Sequence, residues 1–331
     1  MSRYAAAHAS PSGPGDARPT ASQIIDDEGL EGKLNGKVAL ITGCSSGIGV
    51  ETARALHRTG ATIYATARDV SKAKTALSDI ANDPKVHFLE LDLNSLASVR
   101  SCAEAFKASS RQLNIFVANA GVMACPEGRT VDGFETQFGV NYLAHFLLFT
   151  LLQPILVSSA TAELHSRVVS VASSGHRISP VQFDNINFEG NYHPWLAYGQ
   201  SKTANIWMAN EIERRYGAQG LHALSLQPGL VGTELGRHLP EEALAALIAS
   251  DFAKTDLKNP AQGAATSVLA AVGKEFEGKG GIYLENCGVP GPYTGPMPDT
   301  TGYGTGYGEW AYDEEQAKKL WEKGLELLGL N

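Results

Sequence analysis

The sequence predicts an α/β protein, a three-layer doubly wound fold around a mostly parallel central sheet. Three observations predict it. From about residue 34 onward, short aliphatic and β-branched runs alternate with segments of helical character, the pattern of buried strands joined by crossover helices. A glycine-rich turn separates the first such run from the first long helix. No shift of composition divides residues 34–289, so the alternation belongs to a single domain, drawn here as residues 30–289.

Each element can be justified in chain order. Residues 1–29 are rich in Ala, Ser, Pro, Gly and Asp, as in "HASPSGPGDARPT", and are expected to form a flexible extension that adds little to the core. "KVALIT" (37–42) is the first strand, followed by the glycine turn and a helix to about Thr59. "ATIYATA" (61–67) is the second strand and "SKAKTALSDIA" the next helix. "VHFLEL" (86–91), "LNIFVAN" (113–119), "RVVSVAS" (167–173) and "LHALSLQP" (221–228) continue the strands, with helices near 95–108, 133–153 and 196–217. "GGIYLE" (280–285) supplies a last strand. Residues 290–308, mostly Gly, Pro, Tyr and Thr, read as a loop or surface wrap. "DEEQAKKLWEKGLELLGL" (313–330) reads as a closing helix whose Leu320, Leu325 and Leu328 pack on the body or on a partner. Residues 290–331 are therefore expected to lie on the domain.

Bulk properties exclude several classes. Among 331 residues, 43% are hydrophobic and 19% charged, an ordinary globular balance. A formal charge of -8 argues against broad affinity for nucleic acid, though not against a phosphate held by backbone donors. Cys44, Cys102, Cys125 and Cys287 are scattered without metal-ligand spacing, which suits free thiols in a reducing compartment. The first thirty residues lack the apolar core of a secretory signal. "YLAHFLLFTLLQPILV" (142–157) is interrupted by His145, Gln153 and Pro154 and falls short of a spanning length. It is expected to be a buried helix, and the protein to be cytoplasmic with no integral membrane segment.

The segment "KVALITGCSSGIGVETARAL" carries the first chemistry. Gly43, Gly47 and Gly49, with Ile48 between the last two, stand between a strand and a helix. Small residues let a phosphate approach backbone amides, and the helix N-terminus favours an anion. Ser45 and Ser46 add short hydroxyls. The spacing is G-x-x-x-G-x-G, and no Lys–Ser/Thr pair follows as a nucleoside-triphosphate loop requires. A dinucleotide-binding turn of the Rossmann type is predicted. Arg68 follows the second strand, where a guanidinium can hold a 2'-phosphate, so NADP(H) is favoured. Asp69 beside it can instead accept ribose hydroxyls, which leaves NAD(H) open. Asp92, followed by Leu93, either meets the adenine or starts a helix.

The second chemistry is "YGQSK". Four residues at about 1.5 Å rise set Tyr198 and Lys202 on one helix face, about 6 Å apart. A Ser–His–Asp hydrolase fits poorly, because "GCSSG" is not a G-x-S-x-G elbow. His176 is near Ser173 in sequence, as a pocket residue or a structural one.

Residues 34–235 resemble a classical short-chain dehydrogenase/reductase, nearest the retinol-dehydrogenase-like group. The resemblance rests on "TGCSSGIG" (42–49), "ANAG" (118–121), Asn141 in "FGVNYLAHFLL", "RVVSVASSGH" (167–176) and "YGQSK" (198–202), in that order. Ala118 departs from the commoner "NNAG". The resemblance implies that Asn141, Ser173, Tyr198 and Lys202 form the catalytic group, with Ser174 as the neighbouring alternative to Ser173. Asn141 would hold a water that passes protons toward Lys202, or else support a bend in its helix. Asn119, Ala120 and Gly121 would line the cofactor, and so would Pro228, Gly229, Leu230, Val231 and Thr233 in "QPGLVGT". Lys202 would also bind the nicotinamide ribose.

Tyr198 would give a proton to a carbonyl oxygen as hydride reaches carbon, or take one from an alcohol. Ser173 would orient that oxygen. Phenolate near neutrality needs the tyrosine pKa lowered by about 3, roughly 4 kcal/mol, which Lys202 and the oxidised nicotinamide are expected to supply. The resemblance further implies a small lipophilic alcohol or carbonyl substrate. Its pocket would be set by loops at 175–196, 232–256 and 286–310, with Tyr192, His193, Trp195 and Leu239 as wall or packing residues. It also implies a homodimer or homotetramer through the long helices near 133–153 and 196–217. A catalytically weak nicotinamide-binding redox sensor or interaction protein is the alternative reading.

Overall fold

A computed structural model describes residues 2–299 and 304–330. Seven strands form its sheet: β1 (Val38–Thr42), β2 (Thr62–Ala67), β3 (Val86–Glu90), β4 (Ile115–Ala118), β5 (Ser166–Val171), β6 (Leu221–Gln227) and β7 (Ile282–Glu285). Their order is β3-β2-β1-β4-β5-β6-β7, and every pairing is parallel. Parallel strands demand crossovers, and the helices that make them cover both faces. Leu40, Phe116 and Val168 point into the layer of helices Leu96–Ser109, Ala144–Ser159 and Pro194–Tyr216. Ala39, Ile41, Ile115 and Val117 point into the opposite layer, with helices Ile48–Arg58 and Ala265–Val272. The order in which strands are added reverses between β1 and β4, and such a switch point opens a crevice at the C-terminal strand ends.

The predicted strands are all present, and their ends lie within two residues of the sequence reading. Two helices differ. The helix expected to run through "SKAKTALSDIA" ends as Val70–Ala76 and turns thereafter. The helix expected near 133–153 is a composite: Thr136–Phe138, a π-turn at Gly139–Leu143, then Ala144–Ser159. By length and composition this composite is apolar enough to cross a membrane. Phe138, Phe146, Leu147, Leu148 and Phe149 are nonetheless buried in the domain core, as expected of "YLAHFLLFTLLQPILV".

The N-terminal extension is corrected: it belongs to the body. Thr20 caps helix Ala21–Glu28, Gly29 closes it in the left-handed region, and Ile24 and Ile25 are fully buried. Ahead of the helix, the buried Arg18 guanidinium pairs with Asp16 at 2.9 Å. It also donates to the carbonyls of Gly13, Thr255, Asp256 and Leu257. Five acceptors make a buried cation tolerable. Composition alone marks this stretch as disordered, because the ordering contacts come from residues some 240 positions away.

The C-terminal wrap also packs on the body, although positions 300–303 lie outside the described residues. Helix Glu314–Leu328 lies across the two long helices, with Trp321 centred 4.8 Å from Phe146 and 6.0 Å from Phe149. Leu320 and Leu328 are buried there. The chain thus covers, with its own C-terminus, the helix faces at which a partner subunit was expected. All four cysteines are unpaired and buried.

Candidate active site

The glycine turn sits at the C-terminal end of β1. Gly47 is the N-cap of helix Ile48–Arg58 with φ +64° and no side-chain cap. A helix start left uncapped keeps N–H groups for an outside acceptor. A Cβ at Gly47 would meet the Thr233 methyl at 2.9 Å, and one at Gly49 would overlap the Gly43 carbonyl. The turn is thus packed so closely against Thr233 and the Gly43 carbonyl that neither glycine has room for a side chain.

The "ANAG" turn is tied to the same strand end. The Thr42 hydroxyl accepts from the Asn119 and Ala120 amides, both at 2.9 Å, and meets His145 Nε2 at 2.9 Å. Asn119 spends its side-chain amide on the Thr42 carbonyl, so it shapes the crevice from behind. Ala118, the departure from "NNAG", is buried in β4.

Beyond β2, Arg68 and Asp69 are exposed, and they separate in role. Asp69 caps helix Val70–Ala76 by accepting from the Lys72 amide at 3.0 Å. The Lys72 ammonium reaches Glu234 at 3.0 Å, and Ser46 Oγ donates to the same carboxylate at 3.4 Å. Asp92 does not cap the following helix: Ser95 does, while Asp92 accepts from the Asn94 amide within the turn and Leu93 is buried.

The Pro228–Thr233 loop has a support that sequence reading missed. Lys258 Nζ, buried, donates to the Pro228 carbonyl and to Asn286 Oδ1, each at 3.0 Å. Its backbone pairs with Leu230 and Gly232. Gly229, at φ +94°, admits the ammonium 2.8 Å from where a Cβ would stand. Burial lowers the Lys258 pKa to about 8. "LKNP" carries no spacing relation to this loop, so no local signal announces the contact.

Asn141, Ser173, Tyr198 and Lys202 converge between β4, β5 and helix Pro194–Tyr216. Pro194 at N1 and His193 as N-cap start that helix, His193 accepting from the Trp195 and Leu196 amides. His193 thus spends Nδ1 on capping this helix. Tyr198 and Lys202 are 3% and 4% exposed. Lys202 Nζ donates to the Val171 carbonyl at 3.0 Å and stands 5.6 Å from the Tyr198 ring centre.

Asn141 lies in the π-turn. Its side chain exchanges bonds with the Val122 amide and carbonyl at 2.8 and 2.9 Å, and donates to Ser201 Oγ at 2.9 Å. The side chain therefore ties the cofactor turn to the Tyr198 helix. The Asn141 carbonyl meets His145 Nδ1 at 3.1 Å. Gly121 completes the contact, because a Cβ there would stand 3.1 Å from Asn141 Oδ1 and 3.5 Å from Lys202 Nζ.

At the end of β5, Ser173 is extended and Ser174 begins a 3-10 turn, and a Cβ at Gly175 would stand 2.7 Å from the Tyr198 ring and 3.3 Å from Ser173 Oγ, so the two side chains flank the same glycine. Trp195 lies edge-on to Tyr198 at 6.1 Å, and the Tyr192 hydroxyl donates to the Cys125 carbonyl at 2.7 Å. Leu239 ends the short turn Glu234–His238.

Burial pushes the Tyr198 phenol up to about 12, with the neighbouring Ser173 hydroxyl opposing it, and burial drops Lys202 to about 8. The protein by itself therefore holds a neutral phenol near pH 7, and the lowering expected from the oxidised nicotinamide belongs to the bound state.

This arrangement, a dinucleotide cradle beside a buried Ser–Tyr–Lys set on a seven-stranded parallel sheet, is that of a nicotinamide-dependent oxidoreductase, and the comparisons agree. The family model for short chain dehydrogenase matches residues 37–244. The chain belongs to the short-chain dehydrogenase/reductase family, near its retinol-dehydrogenase-like group. It is 51% identical over 329 residues to the short-chain dehydrogenase/reductase prx1 of Penicillium roqueforti, covering 99% of this chain and 96% of the relative. It is 38% identical over 301 residues to retinol dehydrogenase 12 of Homo sapiens, covering 90% and 88%. Among solved structures, the Pseudomonas aeruginosa RhlG/NADP active-site complex superposes with a TM-score of 0.62 at 26% identity, covering 77% of this chain and 96% of that one.

Proposed function

We propose that this oxidoreductase is NADP(H)-dependent and interconverts a small lipophilic carbonyl compound and its alcohol, with Tyr198 as the acid/base. The observation that carries the reading is the buried Tyr198 phenol, which shares the Gly175 surface with the Ser173 hydroxyl and has the Lys202 ammonium 5.6 Å from its ring centre. When bound, the cofactor supplies or accepts the hydride. The protein's own groups handle the rest. Tyr198 gives its proton to the substrate oxygen, and Ser173 orients that oxygen and meets its growing charge. Lys202, anchored on Val171, keeps a positive charge beside the phenol below pH of about 8. At neutral pH the phenol carries its proton and so can supply it when a carbonyl is reduced.

Preference for the phosphorylated cofactor rests on Arg68 and Lys72. Asp69, the residue that would take ribose hydroxyls, is committed to capping. The lipophilic substrate class rests on Trp195, Tyr192 and Leu239, and on helix Glu241–Ala249, whose Ala, Leu and Ile side chains are nowhere buried. The test is turnover of purified protein across chemically varied alcohols and carbonyls, with both cofactors and in both directions. NADPH-dependent carbonyl reduction is expected, and its absence throughout such a panel would remove the assignment.

A further inference from the structure

His176 is completely buried and takes no part in the proton transfer, yet both of its ring nitrogens are committed. Nε2 lies 2.8 Å from the Gly308 backbone nitrogen, and Nδ1 lies 2.6 Å from the Ser173 carbonyl oxygen. A backbone N–H can only donate, so Nε2 must be the bare nitrogen. A carbonyl can only accept, so the ring proton must sit on Nδ1. The two contacts fix one tautomer of a neutral imidazole, and burial holds it neutral, with the pKa at about 4.

The His176 backbone carbonyl accepts from Thr203 Oγ1 at 3.0 Å and from Trp310 Nε1 at 2.9 Å, and the ring centre lies 5.1 Å from that of Tyr283. Thr203 is the residue after Lys202, while Gly308 and Trp310 belong to the C-terminal wrap. Ser173 is held at both ends: its carbonyl by His176 and its Oγ by the Gly175 amide at 3.0 Å.

We propose that His176 is a positioning residue that aims the Ser173 hydroxyl at the Tyr198 phenol, with the C-terminal wrap fixing its tautomer through Gly308. The wrap lies beyond residues 37–244, the part that the family model matches, so a segment outside the family's common core completes the catalytic geometry. The inference rests on the acid/base reading of Tyr198 and Ser173.

Two substitutions separate the ends of the bridge. H176N places an amide donor near Nδ1 and gives up Gly308; H176Q places an acceptor near Nε2 and gives up the donor to Ser173. With the best carbonyl substrate and NADPH, H176N is expected to stay within about 3-fold of the parent kcat and H176Q to fall about 10-fold. NADPH affinity should be unchanged in both. In an S173A background H176Q should cost nothing further, because the group it aims is gone. Parental kcat in folded H176Q, or a full additional loss in S173A, overturns the proposal. Should H176Q fail to fold, 15N NMR of the parent imidazole decides: a proton on Nδ1 from pH 7 to pH 5 is required, and a proton on Nε2 or titration near 6.5 overturns it. A parent without carbonyl turnover would defeat the enzymatic reading, a result distinct from either.

Discussion

Gly175 lies so close to Tyr198 that a Cβ at that position would stand 2.7 Å from the phenol ring. Gly175 is itself fixed, since its amide donates to Ser173 Oγ. The ring is thus seated against backbone on one side, with the Lys202 ammonium 5.6 Å from its centre. In G175A the methyl must displace the ring. Loss of alignment should lower kcat about 100-fold, and the overpacking should cost about 1–3 kcal/mol of stability. Cofactor affinity should hold, because Gly175 contacts neither the glycine turn nor Arg68. Parental kcat in folded G175A would show that the ring position is not critical.

Removing the hydroxyl alone is a gentler change with a larger chemical effect. Y198F keeps the ring packed against Gly175 and Trp195 and deletes only the proton donor. Turnover should fall by about 10²–10⁴-fold, the range for a lost general acid/base. The unfolding midpoint and cofactor affinity should stay close to the parent. Measured single-turnover hydride transfer near the parent rate would remove Tyr198 from its role.

Much of this was legible in the sequence, and what was not has a common cause. Buried parallel strands read as aliphatic runs whatever surrounds them, so β1 to β7 could be placed from "KVALIT" to "GGIYLE". The glycine turn and the Tyr198–Lys202 spacing are local and therefore visible. Lys258 beneath the Pro228 loop, Glu234 between Lys72 and Ser46, and Arg18 on the 255–257 carbonyls are contacts between distant segments. Nothing within a short window marks them. The upward shift of the Tyr198 phenol in the protein alone is illegible for the same reason. A neighbouring cation is readable from spacing, whereas burial is a property of the assembled fold.

Acid should destabilise the fold through two buried imidazoles. His145 faces Thr42 and the Asn141 carbonyl with the Lys202 charge nearby, and His176 faces Ser173 and Gly308 with Arg177 and Asp299 nearby. Burial lowers both from 6.5 to about 4. Between those values the unfolded chain binds protons that the fold refuses, so stability falls as pH falls. The loss should approach roughly 3 kcal/mol for each ring by the lower limit. Denaturant unfolding at a series of pH values should give a curve that flattens in H176N. An unchanged slope would place the acid sensitivity elsewhere.

Cofactor choice should turn on three exposed residues around the helix Val70–Ala76. R68A should weaken NADPH binding about 10- to 100-fold and leave NADH nearly untouched, since a 2'-phosphate is the only difference between the two. The Lys72–Glu234 pair spans the same edge at 3.0 Å. Any phosphate drawing on Lys72 must compete with that carboxylate, so E234Q should tighten NADPH and K72A should weaken it. Fluorescence titration with both cofactors measures all three. Equal changes for NADH and NADPH in R68A would deny it the phosphate.

The C-terminal helix makes a claim about assembly. Trp321 packs on Phe146 and Phe149, the Arg215 guanidinium lies 4.6 Å from its ring centre, and Gly324 admits Phe146 where a Cβ would approach within 2.7 Å. Trp207 Nε1 and Asn210 Nδ2 donate to the carbonyls of Trp310 and Ala311, which anchors the chain just ahead of the helix. A second subunit cannot use the covered faces of helices Ala144–Ser159 and Pro194–Tyr216 while these contacts stand. Sedimentation of the intact protein should therefore show no dimer built through those faces, and L320D/L328D should behave differently. Charges at two buried positions should release the helix at a cost of several kcal/mol and expose Phe146, Phe149 and Trp207. The freed aromatic surface should then drive self-association. An intact protein whose dimer is abolished by L320D/L328D would mean that the helix builds an interface instead of covering one.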